Sequence, residues 1–179
     1  MTDEMIMEAV KKGDLQQVTL LFERHHKRVF NFLARMTADR QQAEDLTQNV
    51  FLRLIKYRNS YKEGLRFQSW MYQMARNVFS DHYQAHKKKM SGAVDIEKVR
   101  ENLEDNNSFD QQVEREEILH KSLAMLPDDQ RELLVLTRFQ HMKYEEVATI
   151  MNTSVVNIKV KVHRAIAKLR EYYFQLESQ

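Results

Sequence analysis

Between positions 156 and 164, seven side chains have the chemistry to read a DNA duplex: Val156, Asn157, Lys159, Val160, Lys161, His163 and Arg164. Amide and guanidinium groups can bond base edges, ammonium groups can neutralise phosphates, and an exposed valine can meet a thymine methyl. At 100° per residue, Val156, Asn157, Val160, Lys161, Arg164 and Lys168 share one face of a helix, with Lys159 and His163 on its edge. Val155, Ile158, Val162, Ala165, Ile166 and Leu169 fall opposite and need burial. A short amphipathic helix, Tyr144 to Ile150, precedes this one across a tight turn through Met151-Asn152-Thr153-Ser154, which makes a helix-turn-helix pattern. Ala148 is small where two helices would cross closely. Asn152 suits a left-handed position, and Thr153 or Ser154 can cap the second helix. An ordinary helical hairpin with a solvated basic face would fit the same pattern, so the upstream sequence has to decide.

Two further constellations lie there. The stretch FQSWMYQMARNVFSDHYQAHKKK (67–89) reads as a helix with Phe67, Trp70, Met71, Met74, Ala75 and Val78 inward. Tyr72, Gln73, Arg76, Ser80, Tyr83 and Lys87 line its other side. Rings interleaved with cations suit unpaired bases and their phosphates. Against this, tyrosines also cover core edges, and a lysine run is favoured at any helix C-terminus by the macrodipole. The helix from about Arg40 to Tyr57 carries an apolar stripe, Ala43, Leu46, Val50, Phe51 and Leu54. Opposite it stand Asp45, Gln48, Asn49, Leu52, Arg53 and Lys56, an amide-rich surface centred on an exposed leucine. A solvated face is usually built of Glu/Lys pairs, whereas a protein-docking surface has this more mixed character.

The elements that must position these groups are helical. The 179 residues include only three Gly and one Pro, which predicts an all-α chain of one domain or two small ones. Helices are expected over residues 4–12 and 15–36, separated by Gly13-Asp14. Leu20, Leu21, Phe22, Val29, Phe30, Phe32 and Leu33 would supply their core positions. Residues 59–66 read as a turn. Residues 91–112 are polar and acidic and read as a flexible linker, with transient helix near Ile96 to Leu103. Helices then resume over Val113–Met125 and Asp128–Phe139, where Pro127, Asp128 and Asp129 make a good helix start. The net charge of +2 is unevenly spread: +6 over 1–90, −5 over 91–126 and +1 over 127–179. A basic block before an acidic connector points to a nucleic-acid partner. There is no cysteine, hence no disulfide or thiolate metal site, which fits a reducing compartment. No signal-like segment or run of 18 apolar residues is seen, so a cytoplasmic protein is expected.

In order and spacing, AEDLTQNVFLRL (43–54), FQSWMYQMARN (67–77), LPDDQRELLVL (126–136) and the helix-turn-helix resemble a bacterial sigma factor of the extracytoplasmic-function type. The resemblance spans nearly the whole chain. It implies a non-enzymatic subunit that binds core RNA polymerase, directs it to promoters and helps open the duplex. It implies docking on the clamp of the largest subunit through Asp45, Gln48, Asn49, Leu52 and Arg53. It implies capture of an unpaired −10 base and its strand by Tyr61, Lys62, Arg66, Phe67, Arg76, Asn77, Tyr83, Lys87 and Lys88, with Trp70 mainly core. It implies reading of the −35 duplex by Val156, Asn157, Lys159, Val160, Lys161, His163 and Arg164. The domains would be 1–90, 91–112 as linker, and 113–179. An anti-sigma factor is a further partner by family habit.

Three positions depart from the family pattern. Asn49 stands where Glu is usual, Val156-Asn157 where Gly-Thr is common, and Lys143 where Ser or Thr normally caps the first helix of the pair. Loss of that cap costs about 1 kcal/mol, partly offset by Glu145 and Glu146 in the first turn. Fully extended, the linker reaches at most about 75 Å, enough for a promoter spacer of roughly 55 Å. In relatives this connector threads the RNA channel, where its negative charge could stand in for nascent RNA phosphates. The rival is a helix-turn-helix regulator that never becomes a polymerase subunit, which would not need the docking stripe or the Tyr/Arg/Lys helix. For an enzyme the sequence offers only His82 and His86, without an HExxH pattern or further ligands. No catalytic residue, cofactor or metal is expected.

Overall fold

The computed structural model describes residues 1–89 and 111–179, with the side chains of all of these except Lys88 and Lys89. Among the described residues there are helices and no strands. Most of the predicted linker and the transient helix near Ile96 to Leu103 lie outside the described residues.

The N-terminal module contains α1 (Asp3–Lys11), a 3-10 turn (Leu15–Gln17), α2 (Val18–Thr37), α3 (Arg40–Lys56), a second 3-10 turn (Arg58–Ser60) and α4 (Phe67–Lys89). Thr2 caps α1, its hydroxyl accepting from the Met5 N–H at 3.3 Å. Gly13 takes φ +110° after α1, a backbone that L side chains rarely adopt. α2 ends on Ala38 in the left-handed region. Asp39 then caps α3, accepting from the backbone N–H groups of Gln41 and Gln42 at 3.0 and 3.1 Å. α2, α3 and α4 pack on one another around Leu21, Val29, Phe32, Leu33, Val50, Leu54, Met71 and Val78, all essentially excluded from solvent. Leu20 and Phe22 differ from expectation: they are 38% and 39% exposed, on the outer flank of α2 beside Leu21. Phe22 stacks on His26 and meets Phe51 edge-on instead of entering the core.

The C-terminal module contains α5 (Gln111–Met125), α6 (Asp128–Leu134), α7 (Tyr144–Ile150) and α8 (Val155–Glu177). The stretch expected as one α-helix to Phe139 loosens into a π-turn over Val135–Phe139. The backbone N–H of Gln140 reaches back five residues to Val135 O at 2.9 Å. Such a turn re-aims the side chains that follow it. α8 lies against α5, α6 and α7 and buries Ile158, Val162 and Ala165.

Candidate nucleic-acid and polymerase interface

The turn before α8 and the start of that helix are built as the sequence indicates. Asn152 adopts φ +52°, which frees the chain to turn. The Ser154 hydroxyl accepts from the Asn157 N–H at 3.1 Å and starts α8. The Asn157 amide nitrogen donates to the Thr153 hydroxyl at 2.7 Å, so this side chain is half-buried and pre-positioned. Val156, Lys159, Val160, Lys161, His163 and Arg164 are exposed along one side, Val156 by 71%. Among the described residues no hydrogen bond or ion pair engages Lys159, Lys161, His163 or Arg164. Lys143 provides no side-chain cap for α7. Its own N–H instead donates to Glu146 Oε2 at 3.0 Å, the carboxylate half of a capping box.

On α3, Asp45, Gln48 and Leu52 are exposed, Leu52 by 66%, while Asn49 is half-buried. Arg53 reaches across to Asp81 of α4 at 2.8 Å. Beside that pair an open depression of about 400 Å³ lies between α3 and α4, lined in part by Tyr57, Trp70, Gln73 and Asn77.

The strand-facing set divides. Lys62, Arg66, Asn77, Tyr83 and Lys87 are exposed and Arg76 is half-buried; the Lys88 side chain lies outside the described residues. Tyr61 and Phe67 correct the expectation, being 1% and 0% exposed. Tyr61 packs edge-on against Trp70 and donates its hydroxyl proton to Leu65 O at 2.6 Å. Burial, with the nearby charges of Glu4, Glu8 and Asp3, pushes its phenol up to about 12. Phe67 opens α4 against His25, and its N–H donates to Glu4 Oε1 of α1 at 3.1 Å. Both rings hold the 61–67 segment to the core, as does the bond from Lys11 Nζ to Tyr61 O at 2.7 Å. Trp70 is buried, as expected.

Sequence reasoning missed the contact between the modules. Arg66 pairs with Glu146 and Arg76 with Glu132. Arg76 Nη1 also donates to Ile150 O at 3.0 Å, and Gln73 to Thr149 O at 3.3 Å. Burial pushes the Glu132 carboxyl above its ordinary range against the pull of Arg76. Tyr72, placed by periodicity on the outer side of its helix, is 1% exposed and donates to Gln140 Oε1 at 2.8 Å. Gln140 Nε2 donates to Arg28 O, and Arg28 donates back to Gln140 O, both at 3.3 Å. Arg131 gathers the carbonyls of Leu123, Ala124 and Leu126 and reaches Met36 O of α2 at 2.5 Å. The available signal was a buried-type glutamine and an arginine inside otherwise apolar stretches, and neither names its partner.

His82 and His86 stack with ring centroids 4.1 Å apart, and His82 Nε2 lies 3.2 Å from Gln42 Oε1. Among the described residues no group of three or more acidic or histidine side chains could hold a metal ion. No described helix is long and apolar enough to cross a membrane.

Comparison with known proteins matches both modules. Residues 21–89 fit the model for Sigma-70 region 2, and residues 116–169 that for Sigma-70, region 4. The ECF RNA polymerase sigma factor SigM of Bacillus subtilis is 34% identical over 86% of this chain and 93% of its own. The RNA polymerase sigma factor CarQ of Myxococcus xanthus is 32% identical over 96% and 97%. Among solved structures, CnrH bound to the cytosolic domain of CnrY shares the fold with a TM-score of 0.71. That similarity is at 20% identity, covering 99% of this chain and 98% of CnrH. RpoE of Bartonella quintana, solved with the anti-sigma factor NepR, aligns with a TM-score of 0.64 at 24% identity, over 89% and 96%.

Proposed function

Because the chain belongs to the extracytoplasmic-function sigma factors of the sigma-70 family, subunits that direct bacterial RNA polymerase to promoters, we propose that its two modules divide that work. The N-terminal module, residues 1–90, docks on the polymerase clamp through Asp45, Gln48, Asn49 and Leu52 and captures the −10 strand through Lys62, Arg66, Arg76, Asn77, Tyr83 and Lys87. The C-terminal module, 113–179, reads the −35 duplex through Val156, Asn157, Lys159, Val160, Lys161, His163 and Arg164. The depression between α3 and α4 is the place for an unpaired base. Capturing such a base is how a protein without ATP chemistry offsets the stacking lost on opening DNA.

One observation carries the C-terminal assignment. Ser154 and Asn152 set a helix on which Lys159, Lys161, His163 and Arg164 face solvent without competing partners among the described residues, beside an Asn157 amide held in place by Thr153. Direct readout in a major groove requires such a face. Tyr61 and Phe67 are left out of the strand-binding set because their rings are core. Arg53 is left out of the docking set because its partner Asp81 belongs to the same module and stays with it, whereas the partners of Arg66 and Arg76 belong to the other module. By analogy with relatives solved in complexes, an anti-sigma factor is proposed as a partner.

Run-off transcription with purified core polymerase tests the reading. The protein makes core initiate at a defined start site, and Leu52→Glu abolishes this by preventing association. A protein that binds promoter DNA yet leaves core inactive would instead be a free-standing regulator.

A further inference from the structure

Two of the cations that face the −10 strand in the reading above, Arg66 and Arg76, are already occupied, and their partners come from the other module. Glu146 and Glu132 bind Arg66 and Arg76, and the last-turn carbonyls of α7 accept from Arg76 and Gln73. A guanidinium held between a carboxylate and the negative end of a helix is in the electrostatic situation it would meet beside a phosphate. The contact is also registered. Tyr72 and Gln140 are 1% and 5% exposed, and both amide ends of Gln140 are satisfied across the boundary by Tyr72 and the Arg28 carbonyl. The π-turn delivers Gln140 to that position. Satisfied buried polar networks fix one orientation of two surfaces where apolar contact alone would allow several.

We propose that Glu132 and Glu146 act as in-chain stand-ins for promoter phosphates, latching the C-terminal module over Arg76 and Arg66 so that the free protein is closed and refractory to −10 DNA. The proposal rests on the assignment of Arg66 and Arg76 to strand binding. Because Glu132, Glu146 and the Ile150 carbonyl occupy donors of the same guanidinium groups, closure and strand capture compete for them. The apparent affinity for DNA is therefore reduced by the fraction of molecules that are closed. Lys159, Lys161, His163 and Arg164 of α8 are exposed and take no part in this contact. The latch thus withholds melting while leaving duplex reading available, until core polymerase separates the modules.

The native chain lacks cysteine, so the test can use labels at Gln41→Cys and Gln175→Cys, two exposed positions outside the proposed surfaces. Inter-label distances are measured by electron–electron double resonance in the full-length free protein. Binding of a fluorescent single-stranded oligonucleotide of −10 sequence is measured without core. The parent gives one narrow distance distribution and weak binding. Glu132→Gln/Glu146→Gln, which keeps side-chain shape and an acceptor for the Lys143 N–H, gives a longer, broader distribution and roughly fivefold or greater tighter binding. A parent distribution already as broad as the variant's overturns the latch, as does opening without any gain in binding. If the gain persists after adding Arg66→Gln/Arg76→Gln, phosphate mimicry is overturned. The underlying strand-face reading is judged separately, by whether Arg66→Gln/Arg76→Gln alone impairs promoter opening with core, where the modules are already apart.

Discussion

The two surfaces proposed to meet DNA are prepared in opposite ways. The face of α8 is set by contacts within a few residues, the Ser154 cap and the Asn157–Thr153 bond, and Lys159, Lys161 and Arg164 have no partner among the described residues. Across the molecule, two cations of α4 and the preceding loop are matched to carboxylates 56 and 80 residues away in sequence. A surface that reads intact duplex can stand ready, because duplex is always available. A surface that grips separated strands gains from being covered until strands are to be separated.

The sharpest way to break this comparison is through the element both surfaces share. Ile158 is fully buried where α8 meets the rest of its module. Ile158→Ala is expected to destabilise the C-terminal module by about 2–5 kcal/mol, seen as a fall in midpoint by thermal or urea unfolding. Duplex reading and closure should then be lost together. Loss of only one would mean that the two surfaces do not depend on a common core.

Arg164→Ala should separate them. It removes an exposed guanidinium of the reading face without touching the inter-module contact. We expect about 1–3 kcal/mol weaker holoenzyme binding at the −35 element, concentrated at one or two base positions. The free protein's inter-module distance should stay unchanged. An equal loss on every sequence would demote Arg164 to a phosphate contact.

Tyr72→Phe should act on the covered surface alone. Removing the hydroxyl leaves Gln140 Oε1 without its donor and weakens closure by about 1 kcal/mol at neutral pH. Burial pushes the Tyr72 phenol up to about 12 from an ordinary 10, with Arg28 pulling the other way. The phenol can donate to Gln140 only while it is protonated, so this bond favours closure below pH 10 and is lost as pH rises from 10 through 12. Inter-label distances should therefore lengthen over that window in the parent, with a smaller change in Tyr72→Phe. Tyr61 is the internal control. Its phenol is raised to a similar value but lies within the N-terminal module, so Tyr61→Phe should leave the alkaline opening intact.

The same contrast explains what was legible in the sequence. The helix-turn-helix, its left-handed Asn152 and its cap depend on neighbours within a turn or two, and periodicity finds such features. The π-turn at Val135–Phe139 was missed because its residues continue an ordinary helical pattern. Tyr61 and Phe67 are given to DNA by the family resemblance, although periodicity places Phe67 inward, and a loop tyrosine such as Tyr61 has the same local signature whether it faces solvent or closes a core. Here α1 supplies the missing cue, through Glu4 and Lys11. The pairing of Glu132 with Arg76 had no local signal, since each residue also suits a solvated helix face.

The smallest expected effect bears on which form of DNA each surface meets. Replacing one phosphate-contacting lysine lowers the slope of log affinity against log salt by about 0.9 on duplex and about 0.7 on a single strand. Lys159→Gln, on α8, should flatten the slope for holoenzyme binding to a duplex −35 fragment by about 0.9, with affinity falling uniformly across sequences. Lys62→Gln, at an exposed position of the loop before α4, should leave that slope unchanged and flatten the one for an unpaired −10 strand by about 0.7. Should Lys62→Gln instead alter the duplex slope, the N-terminal surface would be gripping paired DNA. The division into one duplex-reading and one strand-holding module would then fail, even with the fold and the inter-module contact intact.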